Sequence, residues 1–267
     1  MYSQHVLTPG KEIRIGDISP DGKEFYADRK KAEKEFKDVR DELISLQNKF
    51  YADGRHKLLV VLQAMDAGGK DSTIRKVFKG VNPQGVAVAS FKAPSKNELA
   101  HDFLWRIHQK VPPAGMIGVF NRSHYEDVLV VRVDQLVPEA VWRPRYQMIN
   151  DFERLLTSTG TTILKFFLHI SKDEQRQRFQ DRLDDPEKHW KFDSADLEKR
   201  KKWETYQDAF EEMLNECTTE HAPWFVIPAN QKWYRNLAIT KAIVDTIKQI
   251  GPEYPPEESG LEQLVVE

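Results

Sequence analysis

The sequence lacks the features that mark several large protein classes. Its 267 residues hold one cysteine, Cys217, which excludes an intramolecular disulfide and a multi-cysteine zinc site. A bilayer span needs about 20 consecutive apolar residues, and the longest clearly apolar run, 58–62, is far shorter. The first eleven residues carry no apolar stretch of the kind a secretory leader needs, so none is expected. The histidines show no metal-ligand spacing. No arginine-rich arm or RNA-binding aromatic signature is present, so nucleic acid is not an expected partner. Excess charge is also missing: 40 Lys and Arg against 42 Asp and Glu leave a formal charge of −2. That balance argues against a surface that binds polyanions everywhere. What is present is 40% hydrophobic and 31% charged residues, too apolar for a disordered chain. A cytoplasmic protein folded as one domain over residues 1–267 is expected, without a membrane partner.

Short apolar runs at 57–63, 86–91, 116–120, 162–169 and 224–227 read as strands. None alternates cleanly, which suits strands covered on both faces in a parallel sheet. Helical patterns separate them, so the expected class is α/β with right-handed crossovers. Residues 26–50 carry an apolar stripe at Ala32, Phe36, Val39, Leu43 and Leu46. The stripe predicts an amphipathic helix docked on the core, within an N-terminal extension of about 1–55. Ser95 with Glu98 has capping-box spacing and predicts a helix reaching Lys110; Ser171 with Glu174 repeats the spacing. Pro138 opens and Gly160 closes another helix. Asn230 is placed to cap the last helix, which ends at Gly251. The Pro- and Glu-rich tail, 251–267, is expected to be loose.

The most informative string is Gln-Ala-Met-Asp-Ala-Gly-Gly-Lys-Asp-Ser-Thr at 63–73. It sits between a buried strand and a helix. A phosphate loop needs small residues whose backbone N–H groups converge on oxygen, a helix N-terminus, and a lysine for the transferred group. Ala67, Gly68, Gly69 and Lys70 meet those needs, with Asp71, Ser72 and Thr73 opening the helix. The general Walker A pattern is matched imperfectly: Ala64 replaces its first glycine and Asp71 its Ser/Thr. Asp66 lies inside the loop. A carboxylate there is unfavourable without a cation beside it, so Asp66 is read as a magnesium ligand or as a group activating the accepting oxygen.

The third strand ends in Phe-Asn-Arg-Ser-His-Tyr-Glu-Asp at 120–127. Ligands of open α/β sheets lie beyond the strands' carboxyl ends, which draws Asn121, Arg122, Glu126 and Asp127 toward the phosphate loop. Asp127 is a candidate magnesium ligand opposite Asp66, and Arg122 offers a planar fork to phosphate. Residues 171–192 form a basic segment suited to a lid. Arg178 and Arg182, four apart, share a helix face there. Lys76 and Lys79 follow the phosphate loop and are candidates for lining a polyanion path.

Taken together, these strings resemble the polyphosphate kinase 2 family, as do Ile-Asn-Asp-Phe-Glu at 149–153 and the segment 166–192, over about residues 20–250. The resemblance implies a thymidylate-kinase-like P-loop fold, three-layer α/β/α, with a five-stranded parallel sheet and a helical lid. It implies reversible, Mg2+-dependent phosphoryl transfer between inorganic polyphosphate and a nucleotide. By motif, Asp66 and Lys70 match the family's phosphate loop, Asp127 and Arg122 its second acidic motif, and Arg178 and Arg182 its lid. The one-domain length and Glu126 beside Asp127 resemble the class that takes both AMP and ADP, with guanine nucleotides left open. Members of that family are usually oligomeric, so the resemblance implies a homodimer or homotetramer. An ATP-dependent nucleoside or nucleotide kinase of the same fold is the alternative.

Overall fold

The computed structural model describes residues 3–261 and residue 266. The remainder of the expected loose tail, 262–265 and 267, lies outside the described residues, as do Met1 and Tyr2. Among the described residues one sheet of five parallel strands orders as β2-β3-β1-β4-β5. The strands are β1 (Lys57–Gln63), β2 (Val86–Ser90), β3 (Ile117–Asn121), β4 (Thr161–His169) and β5 (Trp224–Pro228). The central strand β1 is almost wholly buried, as its unbroken apolar run requires. The edge strand β2 departs from that expectation: Ala87, Val88 and Ser90 are exposed.

Helix α1 (Arg29–Asp53) and α2 (Lys70–Val77) flank β1 in sequence. The apolar stripe of α1 buries Ala32, Leu43 and Phe50, and the helix packs along α11 (Lys232–Ile250). Gly54 ends α1 in the left-handed region, where a Cβ would be strained. The chain after α11 is held at its start: the Glu253 N–H donates to Asp53 at 2.6 Å.

Several expected helices are shorter than their periodicity suggests. Ser95 and Glu98 do form a reciprocal capping box, but α3 (Lys96–Leu99) stops, and α4 (Trp105–His108) starts anew. Asp102 accepts the Leu104 N–H at 2.9 Å, and this local bond competes with continuing the helix. The helix expected from Pro138 to Gly160 is likewise broken. After α5 (Val130–Val133), α6 (Glu139–Trp142) ends where Pro144 restarts the chain as α7 (Arg145–Ser158). Helix α8 (Lys172–Leu183) has half of its expected box. Ser171 accepts the Glu174 N–H, but the Glu174 carboxylate turns to Arg178 instead. The Ser171 N–H goes to Asn230 Oδ1 at 3.0 Å. Asn230 therefore ties two loops together and does not cap α11, whose N-cap is Gln231. A 3-10 turn (Pro186–Lys191), α9 (Ala195–Lys201) and α10 (Trp203–Glu216) complete the chain between β4 and β5.

Candidate active site

The phosphate loop leaves β1 and enters α2 through two left-handed residues, Ala67 (φ 59°) and Gly69 (φ 101°). The loop's carbonyls are held away from its mouth. Arg178 Nη1 donates to the carbonyls of Ala67 (2.9 Å) and Gly68 (3.0 Å), and its Nε pairs with Glu174 at 2.7 Å. The Gly69 carbonyl accepts from the hydroxyls of Ser72 (2.9 Å) and Thr73 (3.0 Å). With these oxygens engaged, the loop's backbone N–H groups, apart from that of Gly68, which donates to the Met65 carbonyl at 2.9 Å, face the N-terminus of α2 where an anion can bind. Arg178 is thus buried against the loop from outside.

Lys70 is buried and donates to the Ala64 carbonyl at 2.9 Å. Burial, followed by the nearby Arg122, pushes its ammonium below the usual lysine range. Asp66 is gripped on both oxygens: Arg122 Nη2 reaches Oδ1 at 2.8 Å and Lys199 Nζ reaches Oδ2 at 3.3 Å. Burial would raise this carboxyl, but Lys70, Arg122 and Lys199 outweigh it and hold the group below its ordinary value. Gln175 Nε2 bonds the Asp66 carbonyl at 2.9 Å.

Strand β3 delivers the second acidic position. Its end pairs with the end of β1 (Leu62 with Asn121), and Arg122 then turns left-handed at φ 62°. That turn allows the Arg122 N–H to bond the Leu62 carbonyl while its side chain reaches Asp66. A non-glycine residue held there costs energy, which is typical of functional sites. Asn121 Nδ2 donates to Asp71 at 2.6 Å, and Gln63 Nε2 donates to Glu126 at 3.3 Å. Asp127 pairs with Arg145 Nη1 at 3.0 Å. Burial pushes the Asp127 carboxyl up to about 6, although Arg145 and Arg106 pull it down. Arg182 is directed to the Lys191 carbonyl (3.1 Å) and to Asp196 of α9 (3.6 Å).

Among the described residues, no three His, Cys, Asp or Glu side chains gather as a metal cage. A small hard cation does not need one. It binds through one or two carboxylates and fills its shell with water and substrate phosphate. The candidate donors are the carboxylates of Asp66, paired with Arg122 and Lys199, and of Asp127, paired with Arg145, and oxygen donors of this kind fit such a cation.

Beside the loop lies a groove of about 960 Å³. Lys23, Arg29, Lys30, Lys34, Lys37 and Arg40 line it from the N-terminal segment and α1, with Lys76 from α2 and Lys232 from α11. Only Glu33 and Glu174 oppose these eight cations. The groove also touches Asn230, next to Ala229, whose carbonyl accepts from Arg178. Lys76 is the one sequence candidate in this wall; Lys79 is exposed and outside it.

Sequence reasoning missed Lys199, Arg145, Arg106, Arg235 and the basic face of α1. The α1 face had a signal: Lys30, Lys34 and Lys37 recur at helical spacing opposite the apolar stripe. Such a face is read as solvated until something is seen to complete a groove with it. The distant arginines had no signal, because contacts between separate elements leave no periodicity along the chain.

The family model described as "Polyphosphate kinase 2" matches residues 26–255. An "AMP/ADP-polyphosphate phosphotransferase" of Meiothermus ruber is 55% identical over 98% of both chains. An "ADP-polyphosphate phosphotransferase" of Rhodopseudomonas palustris is 45% identical, covering 92% of this chain and 89% of its own. The crystal structure of polyphosphate kinase 2 from Arthrobacter aurescens TC1 superposes with a TM-score of 0.93 at 39% identity, covering 98% of this chain and 94% of that one. With the family model matching residues 26–255 and these relatives covering nearly the whole chain, this protein belongs to the polyphosphate kinase 2 family.

Proposed function

We propose that the protein transfers a phosphoryl group between inorganic polyphosphate and AMP or ADP, forming ATP in the synthetic direction. The observation that carries this reading is the basic groove beside the phosphate loop. A nucleoside triphosphate donor brings three phosphates and an uncharged base. A linear polyanion needs cations well beyond the loop, and eight against two supply them.

In this reading the polyphosphate runs along α1 to the phosphate loop, where backbone N–H groups at the start of α2 hold its reacting end, the loop carbonyls being bonded elsewhere by Arg178, Ser72 and Thr73. Lys70 and Arg122 neutralise charge on the transferred group. The acceptor's terminal phosphate is already ionised at neutral pH, so catalysis is positioning and charge neutralisation with little need for a base. Arg106 and Arg145, around Asp127, suit the acceptor phosphate. Asp66 and Asp127 would hold Mg2+, which when bound offsets phosphate charge. The segment 171–192, extended by α9, would act as the lid, since Lys199 already bridges to Asp66. The names of the relatives above support AMP and ADP as acceptors. A homodimer or homotetramer is the assembly we expect, to be read by light scattering. No described helix is long and apolar enough to cross a membrane.

The deciding experiment offers purified protein AMP, ADP and GDP separately, with polyphosphate or ATP as donor, with Mg2+ or EDTA. ATP formed from ADP and polyphosphate, lost with EDTA, is the expected result. Transfer from ATP but not from polyphosphate would sink the reading in favour of an ATP-dependent kinase.

A further inference from the structure

Arg235 lies in the first turn of α11 and is only 1% exposed. Among the described residues no carboxylate forms an ion pair with it. Its Nη2 donates to Ser72 Oγ (3.1 Å) and to Asn236 Oδ1 (2.9 Å), and its Nε donates to Asn236 Oδ1 (3.2 Å). Its Nη1 has no partner. That nitrogen is pressed against the phosphate loop: a Cβ at Gly69 would stand 2.0 Å from it. Burial, then the neighbouring Arg178, lowers its guanidinium to about 9, while Glu174, not in contact with it, pulls the other way.

A buried guanidinium without a counter-ion is costly, and an apolar side chain of similar volume is usually tolerated as well or better. Such a charge has no obvious use in packing. Its contacts show what it does here. Arg235 donates to the Ser72 hydroxyl, and Ser72 donates to the Gly69 carbonyl. The relay fixes the last loop carbonyl outward, as Arg178 fixes those of Ala67 and Gly68. It also places a positive charge directly behind the loop, where the missing counter-ion can be the bound polyanion.

We infer that Arg235 is a positioning residue for phosphate binding: it locks Gly69 through Ser72 and supplies fixed positive potential behind the loop. This rests on the polyphosphate reading above, and the test separates the two. Arg235→Met, Arg235→Lys and Ser72→Ala are compared with the wild type for melting temperature, kcat, KM for polyphosphate, and calorimetric affinity for tripolyphosphate. In Arg235→Met, KM should rise about tenfold or more, and tripolyphosphate affinity should fall alike, the scale of one lost charge-assisted contact. Its melting temperature should hold or rise, and kcat should change less than KM. Arg235→Lys should recover part of the affinity by keeping the charge. Ser72→Ala should weaken binding without altering charge. A melting temperature that falls while KM and affinity stay unchanged would mark Arg235 as structural and overturn the inference, as would unchanged values throughout. If Arg235→Met does not fold, the Lys and Ser72 variants decide by the same affinities. A wild type that binds tripolyphosphate but transfers nothing from polyphosphate defeats the functional reading alone, and the affinity series still tests Arg235.

Discussion

Two charged clusters sit on the same sheet and behave differently. Midway along β4, Lys165 is fully buried. Its ammonium donates to Tyr125 Oη (2.8 Å), Glu153 Oε2 (2.6 Å) and the Cys217 carbonyl (2.7 Å). Glu153 Oε1 takes the Tyr125 hydroxyl at 2.7 Å and faces His124 at 3.2 Å. Every proton of the ammonium and both carboxylate oxygens are used. Beyond the strand ends, Asp66, Arg122 and Lys199 form the other cluster from three separate segments, with side chains 17–34% exposed. One network is fully buried, and its ammonium and carboxylate are satisfied within it. The other is open at its mouth and built of pairs that can exchange partners. Buried charge with every bond made is architecture, and charge left exchangeable at a strand end is where a ligand acts.

The largest predicted effect tests the closed cluster. Lys165→Met strands a buried carboxylate and should cost about 3–5 kcal/mol of stability, read by denaturant unfolding. Lys165→Met with Glu153→Leu should recover most of that loss. KM for polyphosphate in the folded fraction should be unchanged. A single variant as stable as the wild type would break the contrast.

Lys70→Met tests the ligand site that the open cluster borders, where Lys70 lies near Asp66, and should give the opposite pattern. Turnover should fall by about 10²-fold or more, roughly 3 kcal/mol of lost electrostatic stabilisation, with the melting temperature little changed. Near-normal turnover would remove Lys70 from the transfer site. A smaller effect is expected from Lys30→Ala, Lys34→Ala and Lys37→Ala combined. KM for long polyphosphate should rise about tenfold, with a shallower salt dependence and an unaltered kcat. If tripolyphosphate suffers as much as long chains, the groove is not the chain's path.

The smallest effect concerns protons. Burial lowers the His5 imidazole to about 4 and His169 below its ordinary value. The unfolded chain takes up these protons first as pH falls below about 6.5. Stability present above that pH should therefore decline as the folded value near 4 is approached. A melting curve against pH should show this slope, and His5→Gln should flatten it.

Much of the frame was legible from local pattern. Each expected strand appears within a residue or so of its bounds, the central ones because a strand covered on both faces must be apolar throughout. The phosphate loop was legible because small residues and a lysine between strand and helix have few other uses. Helices were overextended, since periodicity does not register an Asp102 that bonds its own backbone or a Pro144 that restarts the chain.

The sequence by itself determined the sheet, the loop and its lysine, and the family. It could not determine which charges share a space. The −2 total conceals a groove whose cations come mainly from α1. It likewise conceals the burial of Arg178 and Arg235 behind the loop and the meeting of Lys199 with Asp66. Local pattern reports only neighbours along the chain. Burial, ion pairing and the field at a site depend on which distant segments pack together, and only the tertiary structure decides that.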